Sequence, residues 1–275
     1  MNARISHNLP LKEFSRNLGV HNADAARNIQ HLSSGQRVER ASDDPASLAL
    51  ADGLQSEVRV LVEGNRNLQQ GISLLQVADG ALNEVSAMVA QMRALAVQAG
   101  SVHITDSNRR TVDDNFQALK NEVQRLANVT EYNGVSLFTE EREFVIQFGG
   151  LEGDGESMAV TLGDMRSTGP TLNIGGVTLL NLQDAQEAIP QMEAVIEKVT
   201  AERSRIGAFQ NRLERGLTNT SDIMNSLRST ESAIRDIDVA RGVAELSRAQ
   251  ILTQTAAILA RETDADIDRV LSLLQ

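Results

Sequence analysis

The chain has 275 residues, of which 41% are hydrophobic, with a formal net charge of −11 and no cysteine. The acidic balance, with no basic cluster larger than Arg109-Arg110, argues against nucleic-acid binding, which is driven by release of phosphate counterions. Disulfides and thiolate metal sites are excluded, and aromatics at 3% leave the packing to Leu, Ile, Val and Ala, as in long helical bundles.

No apolar run approaches the length needed to cross a bilayer, so no membrane insertion is expected. The first thirty residues carry no basic start, apolar block and cleavage site, so composition alone reads as cytosolic.

The first apolar stripe runs Leu11, Phe14, Leu18, Ala25, Ile29 and Leu32. This is heptad-like spacing with polar residues on the remaining faces, the pattern of a helix that needs a partner. The stripe enters the stretch from Leu32-Ser33-Ser34-Gly35 to Asp43-Asp44-Pro45. Ser33, Ser34 and Gly35 loosen a helix there. Ser42-Asp43-Asp44-Pro45 predicts a new one, capped by Ser42 or Asp43 with Pro45 in its first turn. The stretch reads as a joint between two coaxial rods.

Beyond the joint, Leu54, Val58, Leu61, Leu68, Ile72 and Leu75 alternate at steps of four and three, with Asn65 in one slot. The pattern continues through Leu82, Val85, Val89, Met92, Ala96 and Ala99, without a proline from 46 to 99. An uninterrupted helix there would be roughly 80 Å long. Gly64, Gly71 and Gly80 each weaken it by about 1 kcal/mol relative to alanine, which suggests close packing or adjustable curvature.

Gly100-Ser101 breaks the stripe, and Thr105-Asp106-Ser107 starts a helix carrying Val112, Phe116, Leu119, Val123 and Leu126. Asn133-Gly134 marks a turn. Residues 144–148, 158–162 and 171–179 read as short strands, the first two joined by a glycine-rich turn at Gly149–Gly155. From Ala185 a helical stripe returns and runs through Met192, Val199, Ile206, Leu213 and Leu227 to Ile237. The last rod carries Val239, Val243, Leu246, Ala249, Leu252, Ala256, Leu259, Ile267, Val270 and Leu274.

Candidate chemical sites all have plainer explanations. Asp264-x-Asp266-x-Asp268 opens like a calcium loop, but Arg269 stands where glycine is needed and no bidentate Glu follows. His7, His21, His31 and His103 lack metal-ligand spacing. The Gly149–Gly155 run has no phosphate-loop Lys, and Asp43-Asp44 is explained by helix capping rather than acid–base work. No catalytic constellation, metal site or cofactor is expected.

Several segments are similar to bacterial flagellins. They are the joint Leu32–Leu50, then Gln70-Gly71-Ile72-Ser73-Leu74-Leu75-Gln76-Val77-Ala78-Asp79-Gly80-Ala81-Leu82, Leu95–Ala99 and Tyr132-Asn133-Gly134-Val135-Ser136-Leu137-Phe138. Ile206–Glu214, Ser232–Ala240 and the terminal Val270-Leu271-Ser272-Leu273-Leu274 continue the match. The family usually has neutral residues and a proline where this chain has Arg261–Arg269.

The resemblance implies a mainly α fold: a long antiparallel helical bundle or coiled coil with a small β-hairpin region at about 138–180. The terminal helices would form a second rod, residues 1–40 plus 238–275, as the filament core. Residues 41–237 would form the inner domain, and no outer insert domains are expected. The core stripe would pack Leu11, Phe14, Leu18, Ile29, Leu32, Val243, Leu246, Leu252, Leu259, Ile267, Val270 and Leu274. Arg37, Arg40, Asp43, Asp44, Arg235, Asp236 and Asp238 are either solvated charge or polar contacts between stacked copies.

Function follows from the same resemblance: a structural, non-enzymatic subunit of the flagellar filament, with a hook–filament junction protein as the alternative. Partners would be other copies, cap and junction proteins, and an export chaperone. Location would be extracellular, reached through the flagellar secretion channel without a cleaved signal, against the cytosolic reading of composition. Gln91, Arg93, Ala94 and Leu95 fall in the segment that an innate flagellin receptor recognises. The family usually has Arg at the place of Gln91 and Glu at that of Ala94, so weak or no signalling is expected.

Overall fold

A computed structural model describes residues 9–150 and 157–273, with side chains described for 12–150, 157–259, 261 and 262. Part of the expected 149–155 turn, the Asp264–Asp268 side chains and those of Leu11, Ile267, Val270 and Leu274 lie outside the described residues. The regular elements among the described residues are five helices and two antiparallel strand pairs. In chain order they are α1 (Leu9–Ser34), α2 (Pro45–Ala99), α3 (Asp106–Val129), β1 (Glu131–Tyr132), β2 (Val135–Ser136), β3 (Arg142–Gln147), β4 (Ser157–Leu162), α4 (Leu182–Arg235) and α5 (Val239–Leu273). The mainly α expectation holds. The chain divides into two compact units, residues 57–224 and residues 1–56 with 225–275.

The first unit is built on the α2 stripe. Leu68, Leu75, Leu82, Val89, Met92 and Ala96 are buried, and Val112, Phe116 and Val123 of α3 join them in one core with Val195, Val199, Ile206 and Leu213 of α4. The α2–α3 break is tied by Arg109, buried despite its charge. Its guanidinium donates to the carbonyls of Ala99, Ser101 and Ile104 and pairs with Asp106 at 2.7 Å. Cation and orphan carbonyls thus satisfy each other at the C-terminus of α2. Thr105 caps α3, its side chain accepting from the Asn108 N–H. Pro190 sits inside α4 without ending it.

Asn133 and Gly134 take φ of 52° and 77°, the left-handed pair that a two-residue hairpin between β1 and β2 requires. β3 pairs with β4 antiparallel in the register Arg142↔Leu162 to Gln147↔Ser157.

The strand expected at 171–179 does not form. Its apolar residues are buried, with Leu172, Ile174 and Leu179 inside, but among the described residues no strand pairs with it. Its backbone is satisfied instead by turn hydrogen bonds, from the N–H groups of Asn173, Ile174 and Val177 to the carbonyls of Gly169, Ser167 and Ile174, and by side chains. Lys120 Nζ donates to the carbonyls of Gly175 and Val177, Lys198 Nζ to that of Thr171, and the Leu179 N–H to Asp113 Oδ1 at 2.6 Å. Asn173 takes a φ of 49°, which breaks any extended run. Burial holds the Lys120 amine below the usual lysine range, and the Asp113 carboxylate partly restores it.

Two further expectations change. Asp44, not Ser42 or Asp43, caps α2: its Oδ1 accepts the N–H groups of Ala46 and Ser47. Asp43 faces the other way and accepts from the N–H groups of Glu39 and Arg40. Of the three α2 glycines, Gly64 and Gly71 are close-packed, but a Cβ at Gly80 would meet nothing within 4 Å.

Candidate functional site: the paired terminal helices

In the second unit α1 and α5 lie against each other. Leu32, near the end of α1, meets Gly242 near the start of α5. Earlier α1 residues (His21, Asp24, Asn28) share a groove with Glu245, Ala249 and Leu252 further along α5. The two helices therefore run antiparallel. Gly242, Ala249 and Ala256 are buried at heptad spacing. A Cβ at Gly242 would come within 2.9 Å of Leu32 Cδ2, so the close approach depends on small residues there.

Contact between the two helices leaves their larger apolar side chains uncovered. Val20 and Ile29 of α1 are exposed, as are Val239, Val243, Leu252 and Leu259 of α5, and Ile251 and Ile258 are each 63% exposed. Phe14, Leu18, Leu32 and Leu246 are half-buried. Of the expected core stripe, Ile29, Val243, Leu252 and Leu259 thus point to solvent within a single chain. The heptad-like stripe leaves out Ile251, Ile258 and Val20, which are exposed as well. The adjacent pairs Ile251-Leu252 and Ile258-Leu259, seven residues apart, are the available signal: neighbours about 100° apart on a helix cannot both face the contact that buries Ala249 and Ala256. Exposed apolar surface arranged as a continuous stripe marks an interaction surface.

The joint is held by backbone. Arg37 N–H donates to Arg235 O at 2.7 Å and Ile237 N–H to Gly35 O at 3.0 Å, a bridge that sets Gln36 opposite Asp236. Gly35 permits it with a φ of 72°. The Arg37 guanidinium reaches Ile234 O at 2.8 Å, and Arg235 lies 3.7 Å from Asp52. Asp238 caps α5 through the N–H groups of Ala240 and Arg241, and Asp236 accepts from the Ser232 hydroxyl. Hydrogen bonds from Ser47, first its hydroxyl, hold the Asp44 carboxyl below the usual range, and that of Asp43 is lowered chiefly by the Arg40 N–H. Arg40 is exposed. The polar residues singled out at the joint are thus gathered in one place, and of the acids Asp44 and Asp238 serve as helix caps.

Gln91 and Ala94 are exposed and, with Leu95, line an open groove with Asn115, Ala118 and Leu119. Arg93 turns to Glu193 at 3.1 Å. Among the described residues no cluster of three or more His, Cys, Asp or Glu side chains could hold a metal. No described helix is long and apolar enough to cross a membrane.

Two family profiles match the chain. That of the bacterial flagellin N-terminal helical region covers residues 5–142, and that of the C-terminal helical region covers residues 189–274. The chain belongs to the bacterial flagellin family. A flagellin of Halalkalibacterium halodurans is 34% identical over 98% of this chain and 99% of its own length. A flagellin of Bacillus subtilis is 30% identical over 99% and 100%. The crystal structure of Bacillus cereus flagellin is similar at a TM-score of 0.50 and 31% identity, covering 56% of this chain and 88% of that one. A putative flagellar hook-associated protein from Vibrio parahaemolyticus shares the fold, with a TM-score of 0.60 at 16% identity, covering 70% of this chain and all of that one. In this flagellin α5 continues as helix through Arg261–Arg269.

Proposed function

We propose that this chain is the structural subunit of a bacterial flagellar filament, serving swimming motility. The observation that carries the reading is the uncovered apolar stripe of α1 and α5. A helix pair cannot bury apolar residues on opposite sides of its own contact; copies of the same pair can. The two patches differ, so the contacts are heterologous and grow an open helical polymer. Residues 1–40 with 238–275 are the filament core in this reading, in which the exposed Arg37 and Arg40 pair with acids of a stacked copy, Arg235 being held by Asp52 within the chain. No catalysis is assigned.

The wet stripe also implies that the terminal helices are weakly ordered in the free subunit and are stabilised by mass action on assembly. Export without a cleaved signal, a chaperone that shields α5, and cap and junction proteins as partners all fit a subunit of this kind. No observation favours the hook–filament junction reading, since the match to flagellins runs the length of the chain. The purified chain, seeded with short filament fragments, should grow long filaments visible by electron microscopy. Amide exchange in the dilute subunit should be fast in α1 and α5 and slow in residues 57–224. Short aggregates only, with protected termini in the monomer, would overturn the reading.

A further inference from the structure

The seam that α2 presents to α4 is not uniformly apolar. One of its heptad positions reads Leu61, Leu68, Leu75, Leu82, Val89 and Ala96. The position that flanks it toward α4, half-buried from Asn65 on, reads Val58, Asn65, Ile72, Asp79, Ser86 and Arg93, alternating apolar and polar for most of its length. The three larger polar residues lie two heptads apart, and each reaches α4. Asn65 Nδ2 donates to Ser221 Oγ at 3.2 Å, Arg203 Nε to Asp79 Oδ1 at 3.0 Å, and an Arg93 terminal nitrogen to Glu193 Oε1 at 3.1 Å.

Stability does not account for these rungs. The Asp79–Arg203 and Arg93–Glu193 pairs are partly exposed, and such pairs contribute little. Asn65 is worse than neutral, because its Oδ1 is buried and accepts no hydrogen bond. Register does account for them. A leucine layer that repeats every heptad meets an equivalent layer when α4 slides by one heptad. The polar layer does not. In one direction the slide sets Asp79 against Ile196, in the other against Gln210, and either removes both charge pairs.

We propose that Asn65, Asp79 and Arg93, with Ser221, Arg203 and Glu193, fix the antiparallel register of α2 on α4 against heptad slips. A polar residue at a single seam position is known to select register in coiled coils at a cost in stability. Here three are spaced along one helix pair, with charge signs that alternate between Asp79 and Arg93. The close contacts Gly71–Leu213 and Gly216–Leu68 belong to the same register.

The test is a distance measurement by pulsed electron paramagnetic resonance on the full-length chain as a dilute monomer, so it does not depend on polymerisation. The chain has no cysteine, and Gln69→Cys with Glu214→Cys places two spin labels at exposed positions across the seam. The parent chain should give one distance. The variant Asn65→Leu, Asp79→Leu, Arg93→Leu, Arg203→Leu should keep its helical circular dichroism and gain a second population at longer distance, as an axial slide of about 10 Å, the rise of one heptad, requires. Asp79→Arg alone should also give the second population, and the exchange Asp79→Arg with Arg203→Asp should restore one. A single parent-like distance in the leucine variant would overturn the proposal. So would loss of its helical signal, which would make the rungs a source of stability rather than of register.

Discussion

Gly64, Gly71 and Gly80 look alike in the sequence, three helix-weakening residues on one long stripe. They differ in what surrounds them. A Cβ at Gly64 would lie 2.2 Å from the carbonyl oxygen of Phe148, and that oxygen is backbone, so the hairpin end itself must shift. At Gly71 the obstacle is Ile146 Cδ1 at 2.4 Å, the far end of a side chain that can rotate away. At Gly80 there is open space. Gly80→Ala should therefore stabilise the subunit by roughly 0.5–1 kcal/mol, the conformational entropy that glycine loses on folding. Gly64→Ala should destabilise it, and Gly71→Ala should fall between. Urea unfolding of the three variants followed by circular dichroism checks the order, and a stable Gly64→Ala would contradict the backbone contact. The helix cap shows the same limit of reading. Ser42, Asp43 and Asp44 are all competent capping residues, and only the path of the chain decides that Asp44 turns to Ala46 and Ser47 while Asp43 turns back to Glu39 and Arg40.

At the scale of elements, the helices were legible because their signal is local. Leu68, Leu75 and Leu82 announce α2 by spacing alone, and Asn133-Gly134 announces its hairpin by conformational preference. Segment 171–179 was not legible. Alternating burial is necessary for a strand but does not supply the neighbour that a strand must pair with. The groups that take the neighbour's place, Asp113 and Lys120 on α3 and Lys198 on α4, are far away in sequence. Lys120 is the strongest test of this account. Lys120→Met keeps most of the aliphatic stem but leaves the Gly175 carbonyl without its donor and the Val177 carbonyl with Gln117 Nε2 alone. The expected cost is about 1–3 kcal/mol, that of buried acceptors left unsatisfied. Amide exchange should quicken at residues 174–179 while α2 stays protected. Equal loss of protection throughout residues 57–224 would mean that Lys120 supports the bundle as a whole rather than this loop.

For the whole molecule, the sequence showed which faces of α1 and α5 are apolar, but not that their mutual contact uses the small residues and leaves the large ones in water. That division yields a sharp expectation. Ile251 and Ile258 contribute almost nothing to the isolated chain, since each is mostly exposed. In a polymer each would be worth roughly 1.5–3 kcal/mol on full burial, repeated at every subunit. Ile251→Gln with Ile258→Gln should therefore leave the urea midpoint of the monomer unchanged and raise the critical concentration for polymerisation by orders of magnitude, since every 1.4 kcal/mol is tenfold. Gly242→Val should act differently. It strikes Leu32 and Ile237 within the chain, so the α1–α5 contact must repack or open in monomer and polymer alike. Sedimentation of seeded assembly reactions separates the two. If the Ile251→Gln, Ile258→Gln chain polymerised at the parent concentration, the exposed stripe could not be the surface on which the copies meet.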